Sequence, residues 1–99
     1  MTQKRLRIRS EAREEINSAY EWLFQRNPEA AAAFLTEVQT SLAQIVSHPR
    51  IHPLYSKNTR RCILAGFPYS VIFREKEDTI LVVAVAHAKR RVGYWTKRL

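Results

Sequence analysis

The chain has 99 residues, and its 17 Lys and Arg outweigh 9 Asp and Glu to give a net charge of +8. A chain of this length supports one hydrophobic core, so residues 1–99 are expected to form a single domain. One cysteine rules out an internal disulfide framework and fits a reducing compartment, while only two glycines and four prolines argue against a disordered or fibrous chain.

In chain order, Leu6 and Ile8 alternate with Arg5, Arg7 and Arg9, the period-two pattern of a short half-buried strand. Its cationic polar side suits a sheet edge, because like charges oppose edge-to-edge pairing. Ser10 is the expected N-cap of a helix carrying Glu11, Glu14 and Glu15 near its positive end. Ala12, Ile16, Ala19 and Leu23 recur at helical spacing, which predicts a helix to about Arg26. Asn27-Pro28 then restarts the pattern, with Asn27 as N-cap and Pro28 in the first helical position. Ala31, Phe34, Leu35, Val38, Leu42, Ile45 and Val46 mark the buried stripe of a longer second helix, which His48-Pro49 should end. The short junction between the helices predicts an antiparallel hairpin. After a loop from Arg50 to Asn58, strands are expected at Arg60–Leu64, Tyr69–Arg74 and Thr79–Ala86, joined by short turns and therefore antiparallel. Thr79–Ala86 is almost wholly apolar, which predicts a central strand covered on both faces. Arg91–Leu99 reads as a closing tail or short helix. The predicted class is α+β, in the order β-α-α-β-β-β, with the helical hairpin covering one face of a small, mainly antiparallel sheet.

The charge is unevenly distributed. The acids fall in Glu11–Glu37 and Glu75–Asp78, whereas Met1–Arg9, Ser47–Leu64 and His87–Leu99 contain none. These three acid-free stretches are expected to meet on one basic face suited to an anionic partner. The opening residues lack the apolar run of a signal peptide, and Ile80–Ala86 is too short to span a bilayer. A cytoplasmic protein without a membrane partner is expected.

Neither a metal nor a cofactor is expected. His48, His52, His87 and Cys62 are scattered, whereas a structural zinc site needs four close ligands. A Gly-rich phosphate loop is absent, and no carboxylate near His87 in sequence completes a nucleophilic triad.

An ordered set of short motifs runs along the chain. It comprises Ala30-Ala31-Ala32-Ala33-Phe34 after Pro28, Arg60-Arg61, Phe67-Pro68-Tyr69-Ser70-Val71-Ile72-Phe73, Val83-Ala84-Val85-Ala86-His87, Lys89-Arg90 and Tyr94-Trp95. From about Ile8 to Arg98 the chain resembles the RelE/ParE toxin superfamily, whose members are often labelled plasmid-stabilisation proteins. The resemblance implies the toxin of a type II toxin–antitoxin pair, neutralised by a cognate antitoxin and assembled as a homodimer or a toxin–antitoxin heterotetramer. ParE-like members inhibit DNA gyrase by binding, and this is the leading expectation. The alternative is a RelE-like, ribosome-dependent mRNA endoribonuclease. Whether the protein is an enzyme therefore stays open at this stage.

A metal-free ribonuclease needs a base, cations for the phosphorane charge, and an acid. Under that alternative the candidates are Arg61, His87, Arg90 and Tyr94, although the closely spaced lysines of the RelE pattern are reduced here to Lys57. Under the binding reading the candidate contacts for target or antitoxin are Arg60, Arg61, Lys89, Arg90 and Trp95. Strand alternation places Arg60 with Cys62 and Leu64, leaving Arg61 on the open face. His87 is also read as a structural histidine bonded to backbone, Tyr94 and Trp95 as pins for the tail, and Lys97 and Arg98 as solvated. Trp22, Leu23 and Phe24 offer apolar surface suited to an amphipathic acidic partner helix.

Overall fold

A computed structural model describes residues 4–99; Met1–Gln3, the start of the first basic stretch, lie outside the described residues. Strand β1 (Arg5–Ile8) leads into helix α1 (Ser10–Arg26) and helix α2 (Pro28–Ser47). Strands β2 (Arg60–Ile63), β3 (Tyr69–Lys76) and β4 (Thr79–His87) follow, and a single 3₁₀ turn, Thr96–Arg98, lies near the end. The sheet order is β1-β4-β3-β2. β3 pairs antiparallel with both β2 and β4, and β1 joins β4 in parallel. The expected α+β class, element order and edge position of the first strand all hold.

The helix boundaries follow local chemistry, with one correction. The Asn27 carboxamide accepts the backbone N–H groups of Glu29 and Ala30 at 3.1 and 3.2 Å, and Pro28 occupies the first turn of α2. Ser10, by contrast, caps nothing. The N-cap of α1 is Arg9, which makes no side-chain cap, and Ser10 is already helical with its hydroxyl on the Glu11 carboxylate. The reason lies in β1: the Arg9 N–H still bonds Val82 O at 3.0 Å, so the strand continues into the cap position and displaces Ser10 inward.

The core lies between the helical hairpin and one face of the sheet. Ala12, Ala19, Phe34, Val38 and Ile45 from the helices meet Cys62, Leu64, Val71, Phe73, Ile80, Val82 and Val85 from the strand side. A β-bulge decides which residues of β4 reach this core. Phe73 faces Val82 while Ile72 faces Ala84, so Val83 is an extra residue. Before the bulge Ile80 and Val82 point at the helices; beyond it Val85 does. Val83 and Ala84 turn to the other face, where Ile72 and Trp95 cover them. β4 is apolar from Ile80 to Ala86 because both of its faces are covered there.

Asn27→Ala removes two cap bonds and is expected to lower the unfolding free energy by about 1 kcal/mol, whereas Ser10→Ala should cost less than about 0.5 kcal/mol. Urea unfolding of the two variants checks the ordering.

Candidate functional site

β2 carries Arg60 and Arg61 in adjacent positions, so their side chains leave on opposite faces of the sheet. Arg60 lies on the helix side with Cys62, and its Nη1 donates to the His52 carbonyl at 2.7 Å. Arg61 lies on the open side, 4.5 Å from the centroid of the Tyr55 ring, and its Nε is buried without an acceptor among the described residues. A buried donor left without an acceptor costs about 1–3 kcal/mol.

The end of β4 and the turn after it supply the remaining groups. The His87 ring meets Tyr69 edge-on at 5.0 Å, and its Nδ1 accepts the Lys89 N–H at 3.0 Å. An acceptor Nδ1 puts the proton of the neutral ring on Nε2, so that atom is a donor and not a base. The Ala88 N–H bonds Pro68 O at 2.8 Å and fixes the turn beside the β2–β3 connection. Gly93, at φ 84°, turns the chain back across the sheet; a side chain there would be strained and would crowd the Thr96 hydroxyl. Lys89, Arg90 and Arg91 stand exposed on this turn.

The reversal carries Tyr94 to the Glu15 carboxylate of α1. Tyr94 OH donates to Glu15 Oε2 at 2.5 Å, Val85 N–H donates to Oε1 at 3.0 Å, and Arg98 grips both oxygens at 2.8 and 3.3 Å. Arg98 also donates to Val83 O at 3.2 Å. Glu15 thus satisfies an amide of β4 that lies past the end of β1, and it ties the tail to α1. Two guanidinium groups lie near the Tyr94 ring, Arg90 at 3.8 Å and Arg98 at 5.1 Å from its centroid. Burial, and then the bond to Glu15, pushes the Tyr94 phenol far above its ordinary range.

The candidates therefore divide. Arg61, His87, Arg90, Tyr94 and Trp95 line one groove of about 290 Å³, together with Tyr55 and Tyr69. A second groove, of about 740 Å³, runs along α1 past Glu14, Ser18 and Trp22 and shares His87, Arg90 and Tyr94 with the first. Arg60 faces away from both. Trp95 is 1% exposed against Ile72, Val83 and Ala84, so it offers no surface to a partner in this conformation and instead holds the tail to the sheet. Arg98 corrects a second expectation: its side chain is only 17% exposed, because Glu15 draws it in. Sequence reasoning missed Glu15 and Arg98 as a pair, since 83 residues separate them and neither belongs to a motif.

Among the described residues no cluster of three metal-binding side chains exists. Burial pushes the Cys62 thiol up, which disfavours the thiolate that a nucleophile or ligand needs, and it holds His52 below its usual range, in the neutral form. No helix among the described residues is long and apolar enough to cross a membrane.

Residues 6–92 match the family described as the ParE toxin of the parDE type II toxin–antitoxin system. The chain belongs to the ParE toxin family. Among similar proteins, "Putative toxin Y4kP" of Sinorhizobium fredii is 29% identical over 89 residues, covering 88% of this chain and 93% of that one. The chromosomal ParDE toxin–antitoxin system from P. aeruginosa contains a chain of the same fold, with a TM-score of 0.75 and 17% identity over 86% of this chain and 96% of that one. In this ParE-family toxin the matched span holds Glu15, whereas Tyr94 and Arg98, which grip it, lie beyond residue 92.

Glu15→Ala strands the Val85 amide, the Tyr94 hydroxyl and the Arg98 guanidinium together. It is expected to cost about 3 kcal/mol, the low end for breaking a largely buried ion pair, and to expose the tail to limited proteolysis. Urea unfolding with mass mapping of the first cuts measures both effects. In a spectrophotometric titration, Tyr94 should remain protonated well past about pH 10, where a free tyrosine is half ionised. The late phase should shrink by one tyrosine in Tyr94→Phe, with Tyr69, also raised by burial, left in it.

Proposed function

We propose that this ParE-family toxin acts by binding DNA gyrase without catalysing a reaction, and that a cognate antitoxin neutralises it. One observation carries this reading. The atoms a metal-free ribonuclease would use are committed inside the chain, while the cations around them are free for a partner. Tyr94 OH is held protonated on Glu15, and His87 Nδ1 is occupied by the Lys89 N–H. A general acid and a general base need a mobile proton and an open lone pair, and these two groups supply neither. Arg90, Lys89 and Arg91 stand exposed beside them. That combination suits electrostatic docking more than proton transfer.

The groove along α1 suits the antitoxin. Trp22 and Phe24 are 54% and 50% exposed on α1, and Arg90 borders the groove that Trp22 lines. An amphipathic acidic segment would cover the apolar patch and meet the cations.

The rival, ribosome-dependent mRNA cleavage, has one feature in its favour: Arg61, His87, Arg90 and Tyr94 do share a groove. Purified protein is expected to block supercoiling by gyrase and to leave transcripts intact on translating ribosomes; cut transcripts with unaffected supercoiling would reverse the assignment. Arg90→Ala should weaken gyrase inhibition by about 1–3 kcal/mol, roughly 5- to 150-fold in affinity, with unfolding unchanged. Inhibition titrations paired with thermal melts check this.

A further inference from the structure

A second cationic surface lies away from the groove, on the open face of the sheet near the β3–β4 turn. Strand register assembles it. Arg5 and Lys76 both pair with Thr79, and Arg7 and Arg74 both pair with Leu81. Partners in register project to the same face, so two rows of cations flank β4, about 10 Å apart across two strand spacings. Arg74 lengthens the second row, because its guanidinium donates to the Lys57 and Asn58 carbonyls at 2.6 and 3.4 Å. Lys57 and Asn58 both sit at positive φ, 61° and 60°, in the segment that Arg74 clamps. Arg5, Arg7, Lys57 and Lys76 are exposed and Arg74 is half-buried. A depression of about 880 Å³ at the β1 end is lined by Arg7, Arg9 and Lys76, with Glu77 and Asp78 on its rim.

None of these five side chains forms an ion pair among the described residues; the ion pairs present use Lys4, Arg9, Arg50 and Arg98. Most of the acids lie elsewhere, Glu77 and Asp78 in the β3–β4 turn being the ones beside this surface. The helical hairpin, Ser10–Ser47, holds six glutamates and two arginines, net −4, which leaves +12 on the rest of the chain.

We infer that Arg5, Arg7, Lys57, Arg74 and Lys76 form a binding surface for the phosphate backbone of double-stranded DNA. Three features favour this ligand. Protein interfaces are built on apolar and aromatic anchors and are depleted in lysine, whereas nucleic-acid interfaces are strongly positive. Here the exposed aromatics Trp22 and Phe24 belong to the helical layer. Single strands are held by base stacking on exposed rings, and the aromatics of the open-face cluster are not exposed: Trp95 is buried, and Tyr55 and Tyr94 are half-buried against it. What remains is an array of cations on one sheet face, which suits sequence-independent contact with a duplex backbone. The surface stands on its own geometry and does not depend on gyrase being the target.

Fluorescence anisotropy with a labelled random-sequence 20-base-pair DNA duplex, titrated with the full chain over a range of salt, tests the proposal. Neutralising about five phosphates gives a slope of log affinity against log salt near −4.5. The triple variant Arg5→Ala, Arg7→Ala, Lys76→Ala should lose about three contacts, flattening the slope by about 2.7. Arg13→Ala, Arg26→Ala, Arg50→Ala removes the same charge elsewhere and should leave the slope near the wild-type value. Thermal melts confirm that both variants fold. Absence of duplex binding at low salt, equal slopes for the two triple variants, or tighter binding to poly-glutamate, single-stranded DNA or duplex RNA than to duplex DNA would each overturn the assignment.

Discussion

The organisation of this protein rests on one carboxylate. β1 pairs with β4 only as far as Val82, which leaves the next stretch of β4 without a strand beside it. Glu15 closes that gap from α1 by accepting the Val85 amide. The same carboxylate collects the Tyr94 hydroxyl and the Arg98 guanidinium, so helix, sheet and tail meet at one group. A buried charge is tolerable when its lone pairs are filled, and Glu15 accepts from an amide, a phenol and a guanidinium. The tail is thereby laid over Ile72, Val83 and Ala84 and seals the second face of β4 with Trp95.

Fixing the tail also sorts the chemistry. Tyr94 is brought to the groove and has its hydroxyl taken up in the same step, so the residue that looks most like an acid serves as a clamp. The exposed Arg90 lays its guanidinium over the same ring. The result is a cationic turn on a rigid base, the arrangement that favours fast, charge-guided association. Separation of charge between the layers reinforces it, since the helices carry a net negative charge and the sheet with its tail a large positive one.

Much of the architecture was legible from local rules. Asn27-Pro28, His48-Pro49 and the apolar stripe of α2 mark boundaries through interactions within a few residues, and the structure keeps them. The alternation that separates Arg60 from Arg61 is equally local. What escaped depends on distant partners. Ser10 is a good capping residue, but the bond from Arg9 to Val82 draws the strand into the cap position. Arg98 reads as a solvated terminal cation until Glu15, 83 residues away, is placed beside it. The bulge at Val83 is invisible in a strand that is apolar on both faces, because period two gives no signal there. The three acid-free stretches do reach one face, but β1 and β2 are opposite edges, so their arginines form separate groups instead of a single cluster.

The position of β4 has a consequence for how the molecule is made. It is the last strand to leave the ribosome, yet it lies between β1, the first, and β3. The pairing of Arg5 with Thr79 closes a loop of more than seventy residues, and no shorter-range contact can stand in for it. Until synthesis passes His87, the helical hairpin has only β2 and β3 to cover it, and the cationic turn does not yet exist. A nascent chain that stops short of His87 therefore lacks both the centre of its sheet and the turn that carries Lys89, Arg90 and Arg91.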